Sequence, residues 1–259
     1  MISLETLQPT SFLDQQSELS DHDHFVRPSY FQNAGKDDMI SSQEVVKQIR
    51  VELRHLDDEI RDHRYLHLLR KSKVDFPSLR AFPAHQYHII SSDLRSVAMM
   101  IHRFNEPTVH SYFMKVFQGE AEALTNLLPL AQKLGMSGEE LKHYPITPEG
   151  FAYATYMGWL SMYGSAAEIV AGFLANFPTW GYNCGQMSQS LRKHYGFAPE
   201  ETIFLEAFAN LPSFESVALP IIQKGLDEGV EPWQIQRAAY LFQGYEKMFW
   251  DSMAKLGSM

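Results

Sequence analysis

Apolar residues recur at three- and four-residue steps along most of this chain, and nowhere do they alternate with polar ones over the length of a strand. From Ile40 onward, Val46, Ile49, Leu53, Leu56 and Ile60 form one stripe, while Arg50, Arg54, Asp57, Asp58 and Arg61 occupy the other face. The stripe is expected to run on through Leu66 and Leu69. Asn-Gly and Asp-Gly hairpin signals are absent. The pattern predicts an all-α fold, and no 30–50-residue repeat suggests a solenoid.

Capping residues and prolines divide the helices. Ser41 and Ser42 offer N-caps, with Glu44 placed to complete a capping box. Asp75 caps a second helix with Pro77 in its first turn; it is expected to run to Arg103 with a kink at Pro83. A third helix is expected from Thr108 to Leu134, ended by Gly135, and a short one from Ser137 to Leu141. Pro145 and Pro148 precede a helix containing Tyr153 to Met162, and Gly164 and Ser165 allow a bend. The next spans Ala166 to about Tyr195 and contains Pro178. Pro199 opens another, expected to reach Leu226 with Pro212 and Pro220 inside it, and Pro232 opens the last, ending near Leu256. Short Gly/Pro loops between long helices imply antiparallel neighbours in one bundle. Residues 1–39 lack this periodicity and are expected to form an arm, docked in part by Phe12, Phe25, Tyr30 and Phe31, ahead of a helical domain over 40–259.

Charge narrows the partners. With 22 basic and 31 acidic side chains the net charge is −9, and no dense basic stripe is present to hold a phosphate backbone, so nucleic acid is disfavoured. No apolar run approaches the roughly 20 residues of a membrane helix, and the first residues do not read as a secretory signal. The one cysteine, Cys184, excludes an intramolecular disulfide and a multi-cysteine metal site. A cytoplasmic protein is expected.

The stretch Tyr245-Glu246-Lys247-Met248-Phe249-Trp250 resembles the last helix of the TenA (thiaminase II-like) family. His63-Arg64-Tyr65, Thr147-Pro148 followed by Phe151-Ala152-Tyr153, and Ala167-Glu168-Ile169-Val170-Ala171 resemble further landmarks in the same order. The resemblance runs from about His63 to Trp250. It implies a haem-oxygenase-like multi-helix bundle and an activity on thiamin-derived pyrimidines. It also implies a homo-oligomer, dimer or tetramer.

Position by position, the family's active-site glutamate falls on Glu246 and a pocket tyrosine on Tyr153, both retained. The nucleophilic cysteine falls on Asn176, the pyrimidine-binding acid on or near Gln86, the tyrosine close after it on Ile89, and another pocket tyrosine on Phe204. An asparagine offers no thiolate and a glutamine no proton-accepting carboxylate. Cys184 lies about two turns beyond Asn176 and would serve only if Pro178 changed the register. The diiron branch of the same fold requires carboxylate and imidazole ligands. Here Glu120 stands at its first ligand position, Trp180 at its second glutamate, and Phe208, Pro212 and Glu215 at its His-Asp-His run. That site is not made in this form. The cofactor-free quinone oxidases related to PqqC share the fold, but none of their diagnostic motifs is found.

The resemblance leads to a small, largely apolar pocket between helices for an aromatic or heteroaromatic molecule, with no cofactor and no metal expected. Glu246 among Tyr245, Phe249 and Trp250 is the expected acid/base, and Tyr153 orients the ligand. Gln86, Asn176, Trp180, Phe204, His88 and Glu120 are the expected ligand-binding residues. Two alternatives stand beside this divergent hydrolase. One is a non-catalytic binding or regulatory protein. The other is a redox enzyme with a rearranged metal site drawn from Glu120, Glu215, Glu246 and pocket histidines. The pairs His63/His67 and His85/His88 lack a declared third ligand and read more simply as solvated or capping residues.

Overall fold

A computed structural model describes residues 40–258. The expected arm and its docking aromatics lie outside that range. Every regular element among the described residues is helical.

Ser41 accepts from the Glu44 amide and starts helix α1 (Ser42–Arg61). The stripe does continue into α2 (Arg64–Arg70), but the helix does not. His63 is extended, and its Nδ1 accepts from the Tyr65 amide to begin α2 afresh. Asp75 caps only the short α3 (Phe76–Leu79), accepting from the Ser78 amide at 2.8 Å. The expected kink at Pro83 is instead a break at Arg80, which ends α3 and opens α4 (Ala81–Arg103). Pro83 then sits in the first turn of α4, where its missing N–H is not needed.

Helix α5 (Pro107–Lys133) is capped by Glu106, and α6 (Gly138–His143) by a Ser137/Glu140 box. Thr147 starts α7 (Pro148–Tyr163), and a Ser165/Glu168 capping box starts α8 (Ala166–His194), which runs unbroken through Pro178. The helix expected from Pro199 to Leu226 is three pieces: a 3₁₀ turn at Pro199–Thr202, α9 (Ile203–Ala209) and α10 (Glu215–Asp227). The loop between α9 and α10 holds Pro212, which can neither supply an amide nor let Leu211 stay comfortably helical. Helix α11 (Pro232–Leu256) closes the bundle.

Helix α8 is the central element, packed against α11, α9, α10, α1 and α2, while α4 packs between α5 and α7. Gly172 permits the α8–α11 approach, because a Cβ there would meet the Phe242 ring at 2.2 Å. Two groups of buried apolar residues result. One gathers Phe82, Leu127, Phe204 and Trp250; the other gathers Phe113, Leu160, Phe173 and Phe242. Tyr153 packs against both, at the seam where the two meet. Among the described residues no helix is long and apolar enough to cross a membrane.

Candidate functional site

A cavity of about 50 Å³ lies at that seam. At roughly 10–15 Å³ per water it has room for a few. Helix α4 supplies Gln86, Ile89, Ile90 and Asp93, residues at i, i+3, i+4 and i+7 that share one face. Helix α5 gives Glu120, α7 gives Tyr153, α8 gives Asn176, Phe177 and Trp180, α9 gives Phe208, and α11 gives Glu246 and Phe249. On its α5–α9 side the cavity borders an outer groove of about 620 Å³, with Glu120, Phe177 and Phe208 lining both.

Glu246 is 3% exposed. Its Oε1 accepts from the Trp250 indole Nε1–H at 3.1 Å, and its Oε2 accepts from Asn176 Nδ2. The same Asn176 amide donates to Gln243 Oε1 at 2.9 Å; Gln243 in turn donates to Asp57 and, at 3.2 Å, to Thr179 Oγ1. Burial pushes the Glu246 carboxyl up to about 8, although the bonds from Trp250 and Asn176 oppose the rise. Such a group is predominantly protonated at neutral pH yet ionises close to it.

Two further carboxyls share the cavity. Asp93 is 4% exposed, and its Oδ1 is buried without a hydrogen-bond partner. Burial holds its carboxyl well above the usual range, and the neighbouring Glu120 adds to the effect. Glu120 is half-buried, and desolvation raises it to about 7. The Tyr153 hydroxyl is pushed up by burial and then by the charges of Asp93, Glu120 and Glu246, so it lies near all three acids and stays protonated. No lysine, arginine or histidine lines the cavity.

Gln86, Glu120, Tyr153, Asn176, Trp180 and Glu246 thus border one space. Asn176 was expected to serve the ligand, but its Nδ2 is committed to Glu246 and Gln243. Phe204 and His88, expected at the ligand, do not line this cavity. Phe204 is fully buried behind the wall, its ring 6.3 Å from Phe82 and 5.1 Å from Phe208. Phe82 precedes Gln86 by one turn, so Phe204 belongs to the layer beneath, and Phe208 takes the wall position. His88 follows Gln86 by two residues, about 200° around the helix. It leaves the cavity face and meets Tyr87 edge-on at 5.6 Å.

The rearranged metal set is not assembled either. Glu215 is paired with Arg50 at the surface, 2.7 Å away, and no group of three His, Cys, Asp or Glu among the described residues is placed to hold a metal ion. His63 meets Asp251 at 3.1 Å, His67 meets Asp62 at 2.9 Å, and His85 meets the Ala81 carbonyl at 2.8 Å, each in its own locality. Cys184 is fully buried but outside the cavity lining, its thiol pushed up by burial and by Glu246.

The sequence reading passed over Asp93. The signal was available, because Asp93 lies two turns after Gln86 on the same face of α4, an acid on a stripe that is otherwise buried. Phe208 and Phe177 carried no such signal. They line the cavity because α9 comes close to α8 at Gly181, where a Cβ would sit 2.6 Å from the Phe208 carbonyl oxygen.

Comparison with solved structures gives the same architecture. A TenA homolog from Pseudomonas syringae superposes with a TM-score of 0.70 at 14% identity, covering 87% of this chain and 99% of its own. A TenA homologue from Pyrococcus furiosus gives 0.63 at 16% identity, covering 81% and 99%. A domain from Shewanella denitrificans described as having a heme oxygenase-like fold gives 0.63 at 12% identity, covering 85% and 93%. No curated protein matches the sequence. A model of the TENA/THI-4/PQQC family matches residues 50–255. With that match spanning most of its length, the chain belongs to the TENA/THI-4/PQQC family.

Proposed function

We propose that the cavity, together with the part of the outer groove it adjoins at Glu120, Phe177 and Phe208, binds a small heteroaromatic compound of the thiamin-pyrimidine class and hydrolyses an exocyclic amino group from it. Glu246 is the acid/base and Tyr153 orients the ring, with Gln86 as a neutral hydrogen-bonding partner and Trp180 as an aromatic wall. The observation that carries this reading is the buried Glu246 carboxyl at the cavity, poised near 8 and fixed by Trp250 and Asn176. In the reaction a water oxygen bonds to the ring carbon that bears the amino group, the C=N π pair shifts to the adjacent ring nitrogen, and the Glu246 carboxylate takes one of the water's protons. Protonated Glu246 then returns that proton to the amino nitrogen. The ring nitrogen's pair re-forms the C=N bond as the bond to the amino group breaks with its electron pair on the leaving nitrogen, and ammonia leaves a hydroxylated ring. The Tyr153 hydroxyl donates to a ring nitrogen throughout.

The lack of a nucleophile at the cavity favours a second reading, a non-catalytic binding protein. Asn176 stands where the family places its cysteine, and Cys184 does not line the space. The two readings separate in one assay, ammonia release from 4-amino-5-aminomethyl-2-methylpyrimidine. The hydrolase requires release by the wild type that falls roughly 10²–10⁴-fold in Glu246→Gln. Saturable binding with no ammonia supports the binder. In either case the chain is read as a cytoplasmic homo-oligomer. Exposed Trp159 and Tyr163, beside Tyr156 on α7, support self-association.

A further inference from the structure

We infer that Asp93 and Glu120 form a cation subsite of the cavity, which takes the amidinium or ammonium group of a small planar organic molecule. This deepens the proposal above by naming the charge of the ligand. It rests on the cavity being the ligand site, not on the chemistry of Glu246. Neither residue occupies the position of the acid that the family resemblance assigns to Gln86.

Three observations carry the inference. First, α4 and α5 pack along one another and bring both carboxyls to the same cavity. Second, Asp93 Oδ1 is buried with no hydrogen-bond partner, an arrangement that a folded chain tolerates poorly unless a bound group completes it. Third, the lining contains Asp93, Glu120 and Glu246 and no basic side chain, and Arg61 acts on Glu246 from outside the lining. A ligand supplying both positive charge and N–H donors would satisfy all three conditions.

The remaining walls decide what kind of cation. A metal ion needs four or more donors at one centre. Among the described residues no three His, Cys, Asp or Glu side chains are placed to hold one, and Ile89, Ile90, Phe177 and Phe249 line the space beside the carboxyls. Those apolar and aromatic surfaces suit the flat body of an organic cation, with Trp180 and Phe208 available for ring contacts. An amidinium presents two parallel N–H groups, the fork that carboxylates receive best.

The test uses matched probes that differ in charge: benzamidinium against benzamide, and the smaller acetamidinium against acetamide. Calorimetric affinities are measured on wild type, Asp93→Asn, Glu120→Gln and Glu246→Gln, each checked for an intact melting transition. The expected result is a preference for the cation on the order of tenfold or more in wild type. It should survive in Glu246→Gln and shrink to within about twofold in Asp93→Asn and Glu120→Gln. Equal affinity for cation and neutral partner in wild type overturns the inference. So does binding of no cation, or a preference that survives both carboxamide variants. Ammonia release without a charge preference would retain the Glu246 reading and remove this one. A charge preference without ammonia release would do the reverse.

Discussion

Trp250 donates its indole N–H to Glu246 Oε1 from one turn further along the same helix, at 3.1 Å. Asn176 holds the other carboxyl oxygen from α8, so the acid is fixed from two helices before any ligand arrives. A carboxyl clamped this way has little rotamer freedom to lose on binding, which favours a reaction that depends on its direction.

The amide of Asn176 links Glu246 to Gln243, and Gln243 to Asp57. Replacing Asn176 with alanine leaves buried polar groups on both sides without a partner. The expected loss is about 1–3 kcal/mol in denaturant unfolding, with Glu246 moving further up because one bond favouring its charged form is gone.

Stability should decline as pH rises through neutrality. Glu246 near 8, Glu120 near 7 and Asp93, also raised, bind more protons in the folded chain than in the unfolded one. For such acids the favourable contribution is complete below the unfolded carboxylate range and is lost as pH climbs to the folded value. His63 and His85, lowered mainly by burial, act in the opposite sense at and below about 6.5, so the clean window is pH 7 to 8. The melting temperature of wild type should fall across it, and the Asp93→Asn/Glu246→Gln double variant should give a flatter line. A wild-type line as flat as that of the variant would remove the assignment of protonated buried acids.

Cys184 should be silent toward thiol reagents in the native protein, because it is fully buried and its thiol is held protonated. Ellman's reagent at pH 8 is expected to label none in buffer and one equivalent in denaturant. Rapid native labelling would show that the thiol reaches solvent.

The two glycines Gly181 and Gly244 should respond oppositely to alanine. At Gly181 the added carbon meets the Phe208 backbone oxygen at 2.6 Å, and backbone must shift. A loss of about 1–3 kcal/mol and weakened ligand binding are expected as α9 moves off. Gly244 has nothing within 4 Å and lies within α11, so alanine should stabilise by about 0.5–1 kcal/mol. Thermal melts of the pair give the comparison.

The helical character was legible because stripes such as Val46 to Ile60 have a period that only a helix satisfies. Helix ends were legible where a side chain makes the cap, as at Ser41 and Asp75. They were misread at Arg80, which divides α3 from α4 without any side-chain cap, and at His63, whose own cap on α2 is concealed by an apolar stripe that crosses it unbroken. For the cavity, the resemblance directed attention to Glu246, Tyr153, Asn176 and Gln86, which the structure brings together. It could not separate Phe204 from Phe208. One turn of helix decides between core layer and wall, and that depends on how closely α9 lies against α8. Asp93 had a local signal, its phase with Gln86, which reading α4 by helical angle would have caught.

The cavity draws on six helices, from Gln86 on α4 to Phe249 on α11. No single helix supplies even half of it. Its walls come together only when long loops close, so it depends on non-local contacts across the bundle. For the same reason a bound molecule holds the whole bundle and not a part, and its binding energy appears as resistance to global unfolding. Loosening any one of those six helices lets the occupant go.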